Sequence, residues 1–159
     1  MKIEIHNINR NDLAKKFADW GFKIGVEVGT HAGDYAEALC KVNKNLTLYT
    51  VDLFDLVYED DYTGRIGQRK QRGLYKKVIE RLLPYKCVVI KMLSIEALKL
   101  FEYEQLDFVY IDGSHHYDYV VTDIAMWGQK VRKGGVISCL LYTSPSPRDL
   151  STSRMPSSA

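Results

Sequence analysis

The sequence predicts an α/β fold, a doubly wound parallel sheet with helices on both faces. Short apolar runs alternate with helical patterns along most of the chain, and one run, Leu106–Ile111, is apolar at nearly every position. Strands that are covered on both faces have this composition, and the alternation implies right-handed crossovers. In such sheets ligands bind at the carboxyl ends of the strands, near the point where the strand order reverses.

The 159 residues, of which 46% are hydrophobic and 26% charged, are enough for one domain with a buried core. The first predicted element is a helix with Asn11 and Asp12 as N-cap candidates and Gly21 as its stop. The other helices are predicted over residues 35–42, 74–83, 95–101 and 119–127. The first four strands are predicted over residues 23–28, 46–53, 87–92 and 106–111, and residues 131–138 are predicted to carry a turn at Gly134 and Gly135 into a fifth strand.

The end of the chain departs from this pattern. Residues 139–159 hold three of the four prolines and most of the serines, and no helical or strand period follows Tyr142. The wording of this stretch is similar to translated sequencing-adapter read-through. We therefore expect a sheet truncated after about the fifth strand, a domain over residues 1–138, and a non-native or disordered tail over residues 139–159.

The charge distribution indicates which partners to expect, and the cysteine content indicates the cellular compartment. The 22 basic and 20 acidic residues are spread along the chain, so neither a nucleic acid nor a membrane surface is expected as a partner. Cys40, Cys87 and Cys139 are far apart in sequence and form no CxxC pair, which argues against a zinc site or a disulfide framework. Because the first ten residues also contain no signal peptide or membrane helix, a cytoplasmic location is expected.

The turn after the first predicted strand has the most informative pattern, E-x-G-x-x-x-G, formed by Glu27, Gly29 and Gly33. The glycines let the backbone turn tightly and approach a ligand closely, and the next helix presents unpaired N–H groups. This is typical of a nucleotide-binding loop, although glycines after a strand are also common turn residues. A dinucleotide fingerprint needs G-x-G-x-x-G, so the spacing disfavours NAD without excluding it.

Asp52 ends the second predicted strand, about twenty residues beyond this loop, where a carboxylate can accept hydrogen bonds from both ribose hydroxyls. Leu53 beside it could pack on an adenine, although it is equally an ordinary core residue. After the third strand, Ser94 could bond to the base or cap the next helix. An aspartate at a strand end can also be an N-cap or loop residue, but together with the glycine loop Asp52 indicates a nucleoside.

A second group of titratable residues, Asp112, His115 and His116, follows the fourth predicted strand. These side chains would lie at the active edge of the sheet, near both a cofactor and its reaction partner. An imidazole, whose ordinary pKa is about 6.5, could act as a general base, or Asp112 could hold a divalent cation. The histidines could equally be loop residues bonded to the backbone.

In combination these motifs resemble the class I S-adenosylmethionine-dependent methyltransferases, and in particular the macrocin O-methyltransferase and cephalosporin-hydroxylase-like family. The resemblance covers about residues 23–138. Beyond the glycine loop and Asp52, it rests on the family pattern I-D-G-x-H-x-Y, which begins here at Ile111, and on Asp123, Trp127 and a G-G-V stretch at residues 134–136.

The resemblance implies a Rossmann-like methyltransferase that binds S-adenosylmethionine, with Glu27 serving the methionine part. The cofactor-binding residues it implies are Glu27, Gly29, Thr30, Gly33, Asp52, Leu53, Ser94 and Asp112. Asp112, His115 and His116 would be catalytic and face a small-molecule or sugar acceptor. Metal-dependent members have further carboxylate ligands in a His-Asp-Tyr stretch after the next strand; this stretch is absent here, so a Mg²⁺ site on Asp112 would be incomplete.

Two other functions remain open at this point. A nicotinamide-dependent oxidoreductase would share Asp52, but it would need tighter glycine spacing and a catalytic pair such as Tyr and Lys. A non-catalytic nucleotide-binding domain would keep the sheet and lack the chemistry. The sequence does not indicate the oligomeric state.

Overall fold

A computed structural model of the chain describes residues 9–54, 73–113 and 117–139. Within these ranges five strands form one parallel sheet in the order β3-β2-β1-β4-β5. The strands are β1 (Ile24–Val28), β2 (Thr47–Asp52), β3 (Cys87–Lys91), β4 (Leu106–Ile111) and β5 (Val131–Cys139). The helices are α1 (Arg10–Asp19), α2 (Asp34–Val42), α3 (Leu74–Leu82), α4 (Ser94–Ala97), which continues as a 3-10 turn over Leu98–Leu100, and α5 (Tyr117–Gly128).

Helices cover both faces of this sheet, so the predicted α/β, doubly wound parallel architecture is confirmed. Successive side chains of a strand point to opposite faces. On β4, Phe108 and Tyr110 therefore join the core cluster under α1, α2 and α3, whereas Val109 and Ile111 join the cluster that contains residues of α4 and α5. The strand order reverses between β1 and β4, which places the expected ligand-binding edge at the carboxyl ends of these two strands.

The first core cluster is built on an aromatic stack. The rings of Phe17 on α1 and Phe108 on β4 are stacked, with centroids 4.2 Å apart, and both side chains are buried. Gly25 on β1 lies directly under the Phe108 ring, because a β-carbon at this position would overlap that ring. The absence of a side chain at residue 25 therefore lets Phe108 lie flat on the sheet and meet Phe17.

Helix α1 begins earlier than the sequence predicts. Asn9, in an extended conformation, is the N-cap, and its side-chain Oδ1 accepts hydrogen bonds from the N–H groups of Asn11 (2.9 Å) and Asp12 (3.0 Å). The prediction that Asn11 and Asp12 are the caps is therefore wrong, because their own N–H groups are among the unpaired donors that a cap must satisfy. Gly21, with a φ of 70°, follows the helix as predicted.

The fifth strand also differs from its prediction, since Gly134 and Gly135 lie inside β5. Leu106 on β4 pairs with Val131, but Phe108 pairs with Val136, so two steps along β4 correspond to five along β5. Gly134 has a φ of 78°, and a β-carbon on Gly135 would lie 2.5 Å from the carbonyl oxygen of Asp107. The glycine pair thus forms an irregularity in which the two backbones touch.

The predicted tail lies almost entirely outside the part of the chain that the structure describes. Of the predicted tail over residues 139–159, all but the first residue lie outside the described ranges. The helices in the described ranges include none that is both long enough and apolar enough to cross a membrane.

We predict that Gly25→Ala lowers the free energy of unfolding by about 1–3 kcal/mol, because the new methyl group forces Phe108 out of its stack with Phe17. Urea denaturation gives the measurement. Phe108→Leu is the matched partner variant, and the two changes are also combined in a double variant. There the smaller side chain at residue 108 makes room for the methyl group, so the double variant should lose less free energy of unfolding than the two single variants lose together. Strictly additive losses would show that residue 25 does not contact residue 108.

Candidate active site

Three of the residues predicted to form the site meet at the carboxyl edge of the sheet. Val28, the last residue of β1, pairs in register with Val51 on β2 and with Ile111 on β4. The residues that follow these positions, Gly29, Asp52 and Asp112, are consequently brought side by side.

Gly29 turns the chain away from β1 in a conformation that only glycine adopts easily, with a φ of 96°. Its N–H donates to the Val51 carbonyl oxygen at 2.8 Å, and the Asp112 N–H donates to the Val28 carbonyl oxygen at 2.7 Å. A β-carbon on residue 29 would overlap the Asp112 backbone and would lie 2.6 Å from the α-carbon of Gly113. The loop after β1 and the end of β4 therefore touch backbone to backbone.

Gly33 ends this loop and begins helix α2. It is the N-cap residue, has a φ of 77°, and donates its N–H to the Thr30 carbonyl oxygen at 2.8 Å. Because Gly33 has no side chain, the cap residue itself leaves the N–H groups of the first turn of α2 available. The helix dipole and these N–H groups favour electron-rich ligand atoms at this position.

Asp52 connects the end of β2 to the glycine loop. Its Oδ2 accepts the His31 N–H at 2.8 Å, and its Oδ1 accepts the Phe54 N–H at 2.8 Å. His31 has a φ of 46°, an unfavourable value for a residue with a side chain, so this bond stabilises a strained part of the loop. Because each carboxylate oxygen has a second lone pair, the half-buried Asp52 can still accept hydrogen bonds from a ligand.

Glu27 lies beneath the loop, in the centre of the sheet, and only 1% of it is exposed. It pairs in register with Thr50 on β2 and Tyr110 on β4, and its Oε2 accepts the Thr50 hydroxyl at 2.6 Å. Burial raises the pKa of Glu27 to about 8, with Asp112 and Asp52 adding to the increase and the bond from Thr50 opposing it. The carboxyl group is therefore poised to ionise when a cation comes close.

Thr30, predicted to bind the cofactor, has its side chain turned into the protein. The residue is buried, and its hydroxyl is hydrogen-bonded to that of Thr50, which completes a chain from Glu27 through Thr50 to the loop. Nothing in the sequence singles out Thr50, because a threonine in a strand is ordinary.

Ser94 makes a different set of contacts from those predicted. Helix α4 begins at Ser94 itself, with Leu93 in the cap position and no side-chain cap, so the predicted capping role is wrong. Instead the Ser94 hydroxyl donates to Asp123 Oδ1 at 2.6 Å and accepts from Trp127 Nε1 at 2.8 Å. Burial raises the pKa of Asp123. The family-like residues Asp123 and Trp127 thus join Ser94 in one polar cluster that fastens α5 to α4.

The remaining predicted residues are only partly described. Asp112 and Leu53 are half-buried, and Asp112 stands at the end of β4 beside the loop. His115 and His116 lie outside the described residues. Within the described ranges no three His, Cys, Asp or Glu side chains are placed so that they could hold a metal ion together, so these ranges contain no ligand set for the Mg²⁺ site predicted on Asp112.

Sequence reasoning missed Arg81 on α3. Its Nη1 donates to the Ala32 carbonyl oxygen at 2.7 Å and forms an ion pair with Asp34, while its Nε lies 3.9 Å from Glu37 Oε2. An arginine on a polar helix face is common in any sequence, and nothing in the local pattern indicates that it reaches a loop 49 residues earlier in the chain.

These features define an α/β domain with a glycine loop and the carboxylates of Asp52 and Asp112 at the carboxyl edge of its parallel sheet. A family model described as a methyltransferase domain matches residues 26–139, which is most of the chain and contains every one of these residues. The chain belongs to this methyltransferase-domain family. No curated protein matches it in sequence.

Solved structures show the same fold. A Staphylococcus aureus protein with a proposed caffeoyl-CoA O-methyltransferase activity has 14% identity and a TM-score of 0.60, over 87% of this chain and 59% of that chain. An O-methyltransferase from Bacillus cereus in complex with SAH has 19% identity and a TM-score of 0.58, over 84% and 57%. A spermidine synthase from Thermotoga maritima has 12% identity and a TM-score of 0.55, over 79% and 40%. The chain spans less than two thirds of each, and the likeness is one of fold.

We predict that Glu27→Gln removes a pH dependence of stability. The folded-state pKa of Glu27, about 8, is above its unfolded value, so the stability gained by keeping the carboxyl group neutral is present at low pH and is lost as pH rises towards and through 8. The free energy of unfolding of the wild-type chain should therefore fall by a few kcal/mol between about pH 5 and 8.5, because each unit of pKa shift corresponds to about 1.36 kcal/mol. The free energy of unfolding of the Gln variant should fall less.

Urea denaturation at several pH values measures this difference. The matched control is Glu80→Gln, which changes an exposed carboxylate on α3 whose ion pair with Lys76 is on the surface. If the Glu27 and Glu80 variants follow the same pH curve as the wild type, Glu27 is not held neutral in the folded chain.

Proposed function

We propose that this chain is the S-adenosylmethionine-binding domain of a methyltransferase that transfers a methyl group to a hydroxyl of a small molecule or sugar. The observation that carries the proposal is Asp52. Its carboxylate stands at the end of β2, one strand from the switch point, and both of its oxygens are already oriented by backbone N–H groups. A carboxylate at this place in a doubly wound sheet is suited to bind the two hydroxyls of a ribose.

The other parts of the cofactor have matching partners at the same edge. The first turn of α2 offers N–H groups, and the ammonium of a methionine part would stabilise the ionised form of Glu27. Leu53 and the segment around Ser94 would lie towards the adenine. Because the Ser94 hydroxyl already donates to Asp123, it can act towards a base only as a further acceptor.

The chemistry asks little more of this chain than alignment and proton removal. S-adenosylmethionine, when bound, supplies a methyl carbon that is already electrophilic. The chain must hold an acceptor oxygen in line with that carbon and take its proton. We assign the removal of this proton to Asp112, at the end of β4, and to His115 and His116.

The closer relationship to macrocin-type O-methyltransferases is part of this proposal and is supported by the order of Asp112, Asp123 and Trp127 along the chain. The domain limits at residues 1–138, the cytoplasmic location and the expected lack of nucleic-acid and membrane partners stay predictions from the sequence. The fold by itself does not select methyl transfer, since a spermidine synthase has it too.

We expect the chain to bind S-adenosylmethionine and S-adenosylhomocysteine and not NAD or NADP, because the glycine spacing and Asp52 suit a single nucleoside better than a pyrophosphate. Isothermal titration calorimetry with all four ligands is the measurement. Micromolar NAD binding without S-adenosylhomocysteine binding would favour the oxidoreductase alternative. Binding of S-adenosylmethionine without methyl transfer to any acceptor would favour the non-catalytic one.

We expect Asp52→Ala to weaken S-adenosylhomocysteine binding by about ten- to a hundredfold, the usual effect of losing charge-assisted hydrogen bonds that water replaces in part. The matched control is Asp107→Ala at the opposite edge of the sheet. Asp107 likewise accepts two backbone N–H groups, from Lys23 at 2.6 Å and Ile24 at 2.9 Å. Its loss should lower stability and leave the dissociation constant unchanged. Equal dissociation constants for the two variants would reduce Asp52 to a structural residue.

A further inference from the structure

The glycine loop is held by side chains that come from outside it. Three of its five residues, Gly29, His31 and Gly33, have positive φ angles of 96°, 46° and 77°. Glycine adopts such angles easily, but His31 does so only where the surrounding structure holds it. Its three central residues are held one after another: Thr30 by the hydroxyl of Thr50, His31 by the carboxylate of Asp52, and Ala32 by the guanidinium of Arg81.

The third of these contacts differs from the other two. Thr50 and Asp52 belong to β2, the strand beside the loop, whereas Arg81 belongs to α3, the helix of the next crossover. A single nitrogen, Nη1, reaches both the Ala32 carbonyl oxygen and Asp34, the first residue of α2. Arg81 thus holds the end of the loop and the start of the helix in one arrangement.

Packing next to this contact is also close. A β-carbon on Gly33 would lie 3.4 Å from Val78 Cγ1 and 3.6 Å from Arg81 Cδ, both on α3. The last turns of α3 therefore lie directly against the αL residue that begins α2. The contacts of the guanidinium with the Ala32 carbonyl oxygen, Asp34 and Glu37 all lie in the loop or on α2, and they give Arg81 an indirect route to a ligand, through the loop.

We propose that Arg81 is a positioning residue of the cofactor loop: it fixes the Ala32 carbonyl group and the start of α2 so that the N–H groups of the first turn of α2 face the ligand. The inference rests on the proposed function, because the ligand is S-adenosylmethionine or its product. The ion pair with Asp34 is secondary: Arg81 has 36% of its side chain exposed and Asp34 has 61%, and exposed pairs contribute little. The contact with the Ala32 carbonyl oxygen carries the effect.

The test compares four variants of the full chain with the wild type by calorimetric titration with S-adenosylhomocysteine, at a temperature where all are folded. Arg81→Ala should raise the dissociation constant by about five- to twentyfold, since it removes a charge-assisted hydrogen bond from the loop. Arg81→Lys, which keeps the charge and can reach one of the two acceptors, should recover part of the affinity. Lys76→Ala is the matched control on the same helix, where the side chain pairs only with Glu80 at 3.8 Å among the described residues. It should leave the dissociation constant unchanged.

Asp34→Ala separates the two contacts of the guanidinium. If Arg81 acts through the Ala32 carbonyl oxygen, this variant should lose much less affinity than Arg81→Ala. An Asp34 variant as weak as the Arg81 variant would overturn the proposal, because the ion pair would then be the essential contact. An Arg81→Ala dissociation constant within twofold of wild type would overturn it as well.

A second readout needs no ligand. In the unliganded chain, Arg81→Ala should speed hydrogen exchange of the Gly33 amide, which is bonded to the Thr30 carbonyl oxygen at 2.8 Å, by about tenfold or more relative to Lys76→Ala. If the unchanged chain binds no S-adenosylhomocysteine, the proposed function fails, and the ligand part of this inference fails with it. Unchanged exchange at Gly33 would separately show that Arg81 does not hold the loop.

Discussion

The site depends on one backbone contact, that between Gly29 after β1 and the Asp112–Gly113 segment after β4. Nothing larger than hydrogen fits on residue 29, because a β-carbon would overlap the Asp112 backbone. The two central strands of the sheet can therefore continue into loops that touch. This contact fixes where the glycine loop leaves the sheet, which direction α2 takes, and how close Asp112 stands to the loop. A side chain at residue 29 would separate the residues that the proposed chemistry needs together.

Around this contact the protein gathers three acidic residues, and each is accommodated differently. Asp52 is stabilised by two backbone N–H groups, and Asp112 stands half-buried at the end of β4. Glu27 is buried with one hydroxyl donor and its pKa is raised. Burying a carboxyl group in this way opposes folding at neutral pH, and such an arrangement is common where a site is prepared for a ligand. The strained His31 backbone belongs to the same pattern, in which stability is given up at the place proposed to bind the ligand.

The elements that the sequence predicted well depend on local patterns. Leu106–Ile111 has the predicted bounds because a short run that is apolar on both faces is typical of a covered parallel strand. Asp52 ends β2 as expected, and Gly33 begins α2 with a positive φ. The predictions were wrong where several polar side chains could take the same role, or where a glycine pair could take more than one role. Asn9 caps α1 in place of its neighbours, and the pair at Gly134 and Gly135 is an irregularity within β5 rather than a turn before it.

The sequence by itself determined the doubly wound sheet, the glycine loop and the carboxylate that follows the second strand, because hydrophobic period, glycine spacing and strand ends are properties of neighbouring residues. Only the tertiary structure decided the partners of those residues. Arg81 meets Ala32 across 49 positions, Thr50 meets Glu27 across 23, and Ser94 joins Trp127 across 33. Each of these contacts requires two separate elements to pack at a particular register and distance. The order of residues along the chain does not specify that geometry. The loop could therefore be predicted from the sequence, and the side chains that hold it could not.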